Sequence, residues 1–152
     1  MTTTNTRNLQ GIHDRANDRR SVILIAEDDA VQRLSLARTL ERQGFVVLEA
    51  EDGVSAIAPA CAHLPDLMIL DAVMPQMGGF EAIAAIRSRP GLSTTPAIVV
   101  SGLEDVESCV NALAVGADDF VVKPYEHREL LARVRPTQSG RSVAWSPQHD
   151  DD

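Results

Sequence analysis

A single lysine stands in a chain that otherwise uses arginine for every fixed side-chain positive charge. It is Lys123, in the segment ADDFVVKPY. Other polar residues directly follow short apolar runs: the acids Glu27, Asp28 and Asp71, and the hydroxyl of Ser101. Carboxylate oxygens bind Mg²⁺, a carboxylate can attack phosphorus, and a compact ammonium can neutralise a phosphoryl oxygen in a small pocket. These residue types predict Mg²⁺-assisted phosphoryl transfer if the fold brings them together.

The elements that must position these residues alternate along the chain. Apolar runs of strand length lie at residues 21–26, 45–50, 66–70, 96–101 and 119–123. Their near-continuous hydrophobicity predicts strands covered on both faces, and each is followed by a segment with helical spacing. Strands alternating with helices imply a parallel sheet with right-handed crossovers. The predicted fold is therefore α/β: one doubly wound (βα)₅ domain with helices on both faces of a five-stranded sheet.

The helical segments differ in how well they are delimited. They span residues 29–44, 51–65, 78–91, 104–116 and 126–135. The first is expected to bury a face formed by Val31, Leu34, Ala37 and Leu40, with Gly44 at its end. Pro59 should kink or shorten the second helix, and Pro136 should limit the fifth.

The carboxyl ends of parallel strands meet at one edge of the sheet, where ligands gather. Carboxylates brought together there repel one another and need a neutralising partner, which Mg²⁺ would supply. The alternative is an acidic helix cap formed by Asp28 or Asp29, but it leaves Asp71 and Lys123 unexplained. Asp29 itself is interpreted as a cap rather than a ligand.

Composition narrows the classes of function. The net charge of −8 argues against direct nucleic-acid binding, which needs a basic surface. No apolar run is long enough to span a bilayer, and the polar start does not resemble a secretory signal. Cys61 and Cys109 fit unpaired thiols in a reducing compartment, so a cytoplasmic location is expected. Residues 1–20 and 136–152 have no helical or strand pattern and are expected to be flexible.

The body of the chain, residues 21–135, resembles the receiver domain of bacterial two-component response regulators. The motifs LIAEDD, LMILDAVMPQMGG, IVVSG and GADDFVVKP stand in that family's order and at its usual separations. The resemblance implies the flavodoxin-like strand order 2-1-3-4-5. Because the tail is too short for an output domain, the chain is expected to be a stand-alone receiver or part of a longer protein.

The resemblance also implies roles for the residues at the sheet edge. Asp71 matches the phosphoryl-accepting aspartate, and Lys123 matches the lysine that pairs with the phosphoryl group. Glu27 and Asp28 match the acidic pair of the Mg²⁺ site, with the main-chain carbonyl of Val73 as a further ligand. The isomer of the Lys123–Pro124 bond stays open, since an X–Pro bond can be cis.

The resemblance also implies which residues respond to phosphorylation and which affect the lifetime of the aspartyl phosphate. Ser101 matches the switch hydroxyl and Phe120 the switch aromatic, although Phe120 could also be ordinary core packing. The main chain of Val73 and Gly102 would contact the phosphoryl group. The apolar side chains of Val73 and Leu103 flank the path of attacking water, which implies slow autodephosphorylation; the alternative is that both merely pack at the pocket rim.

The implied function is signalling rather than enzymatic turnover. A histidine kinase or histidine phosphotransfer protein would donate the phosphoryl group, and an unknown downstream protein would read the fourth helix, fifth strand and fifth helix. The chain would be a monomer or a phosphorylation-dependent dimer. Gly78, where the family often has Asp, should weaken the cap of the third helix. The four histidines show no partner pattern and are expected to be solvated or satisfied locally.

Other classes of protein fit less well. A pseudo-receiver that binds partners without phosphorylation usually lacks a pocket residue, and none is missing here. An aspartate-nucleophile phosphohydrolase of the haloacid-dehalogenase type would carry a second Asp as its acid at Val73. A flavin-binding protein of this fold would need a hydroxyl- and glycine-rich phosphate loop after the first strand, where three acids stand.

Overall fold

Five apolar segments form one parallel sheet in this computed structural model, which describes residues 20–102, 116–136 and 143–145. The strands are β1 (Val22–Ala26), β2 (Val46–Ala50), β3 (Leu67–Asp71), β4 (Ala97–Gly102) and β5 (Asp119–Lys123). They lie in the order β2-β1-β3-β4-β5, and every neighbouring pair is parallel. The predicted strands and the predicted order 2-1-3-4-5 are both confirmed.

Helices accompany the sheet where the periodicity predicts them. Those within the described residues are α1 (Ala30–Arg42), α2 (Gly53–His63), α3 (Gly79–Arg87) and α4 (His127–Leu131). The first three correspond to the first three predicted helices, and α4 corresponds to the fifth. Residues 104–115 of the fourth predicted helix lie outside the described residues.

The core has two layers because successive strand residues point to opposite faces of the sheet. On one face, Ile23 packs in a cluster with residues of α1 and α4, including Leu40 and Leu130. On the other face, Leu24 belongs to a cluster with residues of α2 and α3, including Ile83. Both faces are therefore covered, which confirms the doubly wound arrangement.

The buried face of α1 differs from the prediction at its first turn. Val31 and Leu34 are 77% and 45% exposed, whereas Leu36, Ala37 and Leu40 are buried. Val31 lines an open cleft where α1 begins, at the carboxyl edge of the sheet. Expecting Val31 and Leu34 in the core was wrong, and Leu36, two residues after Leu34, is buried instead.

Pro59 does not stop α2, which continues to His63, four residues beyond the proline. Its start is secured by Asp52, whose Oδ1 accepts the Ser55 N–H at 2.8 Å. Its end is set by Leu64, which adopts the left-handed conformation with φ 47°.

The C-terminal part departs further from the sequence pattern. Instead of running to residue 135, α4 ends at Leu131, and Val134 is buried in a short strand. This strand, β6 (Val134–Pro136), pairs antiparallel with β7 (Val143–Trp145). The expectation of no strand in 136–152 was therefore wrong for these residues, because a three-residue strand leaves little periodicity to detect.

None of the helices in the described part of the chain has the length and apolar character needed to span a lipid bilayer.

Candidate functional site

Asp71 ends a strand that is buried along its whole length. As the last residue of β3 it follows four buried apolar residues, and it is itself only 8% exposed. Its Oδ2 accepts a hydrogen bond from Lys123 Nζ at 2.8 Å, and its Oδ1 accepts one from the main-chain N–H of Val73 at 3.2 Å. The sheet thus presents one oriented carboxylate at its carboxyl edge.

Lys123 ends β5 and reaches two carboxylates at once. Besides Asp71, its Nζ donates to Glu27 Oε1 at 3.1 Å. Burial disfavours the charged ammonium, but the hydrogen bonds and charges of Asp71 and Glu27 outweigh it and raise the pKa of Lys123. The ammonium therefore stays charged at neutral pH. The bond from Lys123 to Pro124 is cis.

Glu27 and Asp71, which contact this ammonium, form a group with a third carboxylate, that of Asp28. Glu27, Asp28 and Asp71 each offer an oxygen, and these atoms lie within 4.8 Å of one another. Burial raises the pKa of Glu27, the Asp71 charge adds to this, and the Asp29 N–H and Lys123 oppose it. Hard oxygen donors this close, with more negative than positive charge, suit a divalent cation such as Mg²⁺. The cluster could hold such a metal.

The side chain of Asp29 caps a helix instead of joining the acidic cluster. Its Oδ1 accepts the Gln32 N–H at 3.0 Å and so caps α1. This confirms the prediction that Asp29 is a cap. Its main-chain N–H donates to Glu27 Oε2 at 3.0 Å, so the cap also helps to orient one acid of the cluster.

An open cleft of about 600 Å³ lies over Asp71 and Lys123. The remaining residues that line it come from α1, the loop after β3, the end of β4 and the chain leading into α4: Val31, Gln32, Ser35, Val73, Gly102, Pro124, Tyr125 and His127. His127 also bridges two helices, because its Nδ1 lies 2.8 Å from Thr39 Oγ1. The expectation of a solvated or locally satisfied histidine was wrong for His127, whose partner lies 88 positions away.

Ser101 lies on β4, which neighbours β3, and Phe120 lies on β5, one strand further out in the sheet. Ser101 is 1% exposed, and its Oγ lies 3.5 Å from the Gly102 carbonyl oxygen, longer than an ordinary O–H···O hydrogen bond. Asp71 pairs in register with Val100, so Ser101 lies one residue further along the neighbouring strand. Phe120 is partly buried against the core cluster on the α2–α3 face. Leu103 lies outside the described residues.

Arg33 is a site contact that sequence reasoning missed. Its Nη1 donates to the main-chain carbonyl of Glu27 at 2.7 Å, and its Nε lies 3.3 Å from Glu49 Oε1. Arg33 follows the cap Asp29 by four residues, one helical turn, so its side chain can reach back over the loop. That spacing was the available signal.

The family follows from comparison with known proteins. The model for the response regulator receiver domain matches residues 23–135, most of the chain. The chain belongs to this family and is a receiver domain of two-component signalling.

Relatives and solved structures agree with this assignment. Response regulator MprA of Mycobacterium leprae is 37% identical over 82% of this chain and 57% of its own length. A probable transcriptional regulator, ycf27, of Galdieria sulphuraria is 39% identical over 77% and 45%, respectively. The chain thus spans about half the length of the curated relatives it matches. Chemotaxis protein CheY4 of Vibrio cholerae superposes with a TM-score of 0.70 at 32% identity, over 74% of this chain and 94% of that one.

Proposed function

We propose that this receiver accepts a phosphoryl group on Asp71 from a histidine kinase or histidine phosphotransfer protein, and that the modification changes which protein it binds. The observation that carries the proposal is the placement of Asp71: a strand-end carboxylate with Lys123 at 2.8 Å and two further acids close by. Phosphoryl transfer depends on positioning and charge neutralisation. This cluster offers both.

The residues of the cluster would share the transfer step. A carboxylate oxygen of Asp71 forms the new bond to phosphorus while the bond from phosphorus to the donor breaks. Lys123 neutralises charge on a phosphoryl oxygen. The main-chain N–H of Val73, which donates to Asp71 Oδ1 in this structure, is close enough to donate to the phosphoryl group. Glu27, Asp28, Asp71 and the carbonyl of Val73 would hold Mg²⁺, which when bound supplies charge neutralisation to the phosphoryl group.

The response would start at the residues beside Asp71. A phosphoryl group adds charge and acceptor oxygens. The Ser101 hydroxyl, which makes a long contact with the Gly102 carbonyl, would turn toward the phosphoryl group together with the Gly102 N–H. Lys123 would follow, and Phe120 would change its packing. The partner would then distinguish two populations of the same domain.

The aspartyl phosphate is proposed to be long-lived. Val73 is 62% exposed and lines the cleft, yet its side chain cannot orient an attacking water. Leu103, two residues after Ser101, is also apolar. Val73→Asn with Leu103→Glu should shorten the lifetime, followed by intact mass after removal of the phosphodonor. An unchanged or longer lifetime would count against a role for these side chains.

The decisive experiment is phosphorylation of the purified chain. With Mg²⁺ and acetyl phosphate, intact mass should show one added phosphoryl group, with acetate as the product that leaves. The addition should be lost in Asp71→Asn and without Mg²⁺. If the wild type gains no phosphoryl group, beryllofluoride is titrated and its binding is followed by the fluorescence of Tyr125, which lines the cleft. Binding indicates a pocket that needs its own kinase, and no binding indicates a pseudo-receiver.

The wider biology is also proposed rather than observed. Residues 21–135 form the signalling unit, in the cytoplasm, with residues 1–20 and 136–152 on either side of it. It acts as a monomer or a phosphorylation-dependent dimer, and its downstream target is a protein rather than nucleic acid or membrane. A phosphohydrolase is disfavoured because position 73 carries Val where that chemistry needs an acid.

A further inference from the structure

The loop that follows Asp71, residues 72–78, folds back tightly on the end of β3. The N–H of Gly79 donates to the Ala72 carbonyl at 3.1 Å. A Cβ added to Gly78 would lie 2.4 Å from that same carbonyl oxygen, and one added to Gly79 would lie 2.5 Å from the Asp71 carbonyl oxygen. The inner side of the loop therefore has no room for side chains at either glycine.

Gly53, the first residue of α2, meets the outer side of this loop. Its N–H donates to the Met77 carbonyl at 2.9 Å. A Cβ added at Gly53 would lie 2.5 Å from that oxygen and 2.8 Å from Met77 Cγ. Contacts under about 3 Å force a neighbour to move, and the oxygen here belongs to the main chain. Any side chain at position 53 would push Met77 away from α2.

The segment between these contacts contains an unfavourable turn. Gln76 has a φ of 71°, and the Met77 N–H donates to the Pro75 carbonyl, two residues back, at 2.7 Å. This is the pattern of the γ-turn with positive φ, the rare and strained kind. Such a conformation persists only where surrounding contacts hold it. The Gly53 hydrogen bond to Met77 is one of those contacts.

We propose that Gly53 is a positioning residue for phosphoryl transfer: its N–H and its missing side chain hold the loop 72–78 where Val73 meets Asp71. This inference rests on the proposed phosphorylation of Asp71. Gly53 touches neither Asp71 nor the acidic cluster; it acts through Met77 and the loop. A displacement on the order of 1 Å at a reacting group costs up to about a hundredfold in rate.

The test is Gly53→Ala in the full chain, with uptake of phosphoryl from acetyl phosphate and Mg²⁺ timed by intact mass. We expect uptake to slow by about tenfold to a hundredfold. Beryllofluoride should also bind the variant less tightly, which a purely structural role for Gly53 would not require.

Two controls separate positioning from loss of stability. Gly44→Ala strains a residue at φ 99° whose added Cβ meets nothing within 4 Å, so it should lower the unfolding midpoint without slowing uptake. Asp52→Ala removes the cap of α2 beside Gly53 and should behave the same way. If either control slows uptake as much as Gly53→Ala at a similar loss of stability, the positioning role is wrong.

A measurement on the wild type covers the case in which Gly53→Ala does not fold. Hydrogen exchange at the Gly53 amide should slow several-fold when beryllofluoride and Mg²⁺ occupy the site, while the Gly44 amide stays unchanged. An unaltered Gly53 amide would overturn the inference. A wild type that takes up no phosphoryl group and binds no beryllofluoride would instead defeat the proposed function itself.

Discussion

The two edges of the sheet carry ion clusters of opposite design. At the amino edge, the guanidinium of Arg87 donates to the carbonyls of Thr95 and Gly116 and to Asp118 Oδ2 at 2.8 Å. The same Asp118 oxygen accepts the Ala97 N–H at 2.9 Å. This cluster pairs one cation with one anion. Main-chain groups supply further hydrogen-bond partners to both side chains.

At the carboxyl edge, the charges do not balance. One ammonium, Lys123, contacts Glu27 and Asp71, and the carboxylate of Asp28 lies beside these two acids. The planar fork of an arginine suits several fixed acceptors, whereas a lysine delivers one compact charge on a flexible stem. A balanced cluster ties elements together, and an unbalanced one leaves charge for a ligand to neutralise. The comparison also explains why the single lysine of the chain stands at this edge.

The largest expected effect is on phosphoryl uptake when the cation of the unbalanced cluster is removed. Lys123→Met should slow uptake from acetyl phosphate by about a hundredfold, the cost of losing one preorganised donor at a developing charge. Timed intact mass measures it. Arg87→Met should take up phosphoryl at the wild-type rate, and equal slowing in the two variants would erase the distinction between the edges.

Mg²⁺ should stabilise the fold through the unbalanced edge. At a hundredfold excess over its dissociation constant, one bound ion adds about 2.7 kcal/mol to the free energy of unfolding. Urea unfolding with and without Mg²⁺ measures the gain. It should largely disappear in Asp28→Asn and persist in Arg87→Met; a full gain in Asp28→Asn would place the ion elsewhere.

Removing the cation of the balanced cluster should cost stability instead of function. Arg87→Met removes the guanidinium donor of Asp118 and of two carbonyls, while Asp118 keeps the Ala97 N–H. Because the side chains of Arg87 and Asp118 are 19% and 33% exposed, the loss should be about 2 kcal/mol, below that of a fully buried pair. Urea unfolding gives the value. Arg87→Lys should recover only part of it, and a loss near zero would show that water replaces the guanidinium.

The smallest effect concerns the hydrogen bond between Thr39 and His127, near the cleft. Thr39→Val removes the hydrogen bond between α1 and His127 and should lower the free energy of unfolding by about 1 kcal/mol. The stabilisation by Mg²⁺ should stay as in the wild type, because no charge changes. If the Mg²⁺ effect fell in this variant, the cleft wall would contribute to the metal site.

Much of the fold was predictable because burial on both faces leaves a plain trace in sequence. The run DLMIL predicted β3, and the acid after it predicted which residue would reach the sheet edge. The exposed Val31 shows where this reasoning stops, since helical spacing does not reveal that the first turn lies over a cleft. Val134 shows the same at the other end: the helical segment predicted over 126–135 includes it, whereas the structure buries it in β6.

Sequence patterns were enough to predict the strands, their parallel pairing through alternating helices, and the residue types at the carboxyl edge. The packed fold was needed to show that Lys123 bridges Asp71 and Glu27, which lie 52 and 96 positions away, and that Gly53 contacts the loop after Asp71. Hydrophobic periodicity reports local burial. Distances between residues far apart in the chain arise only when the layers pack.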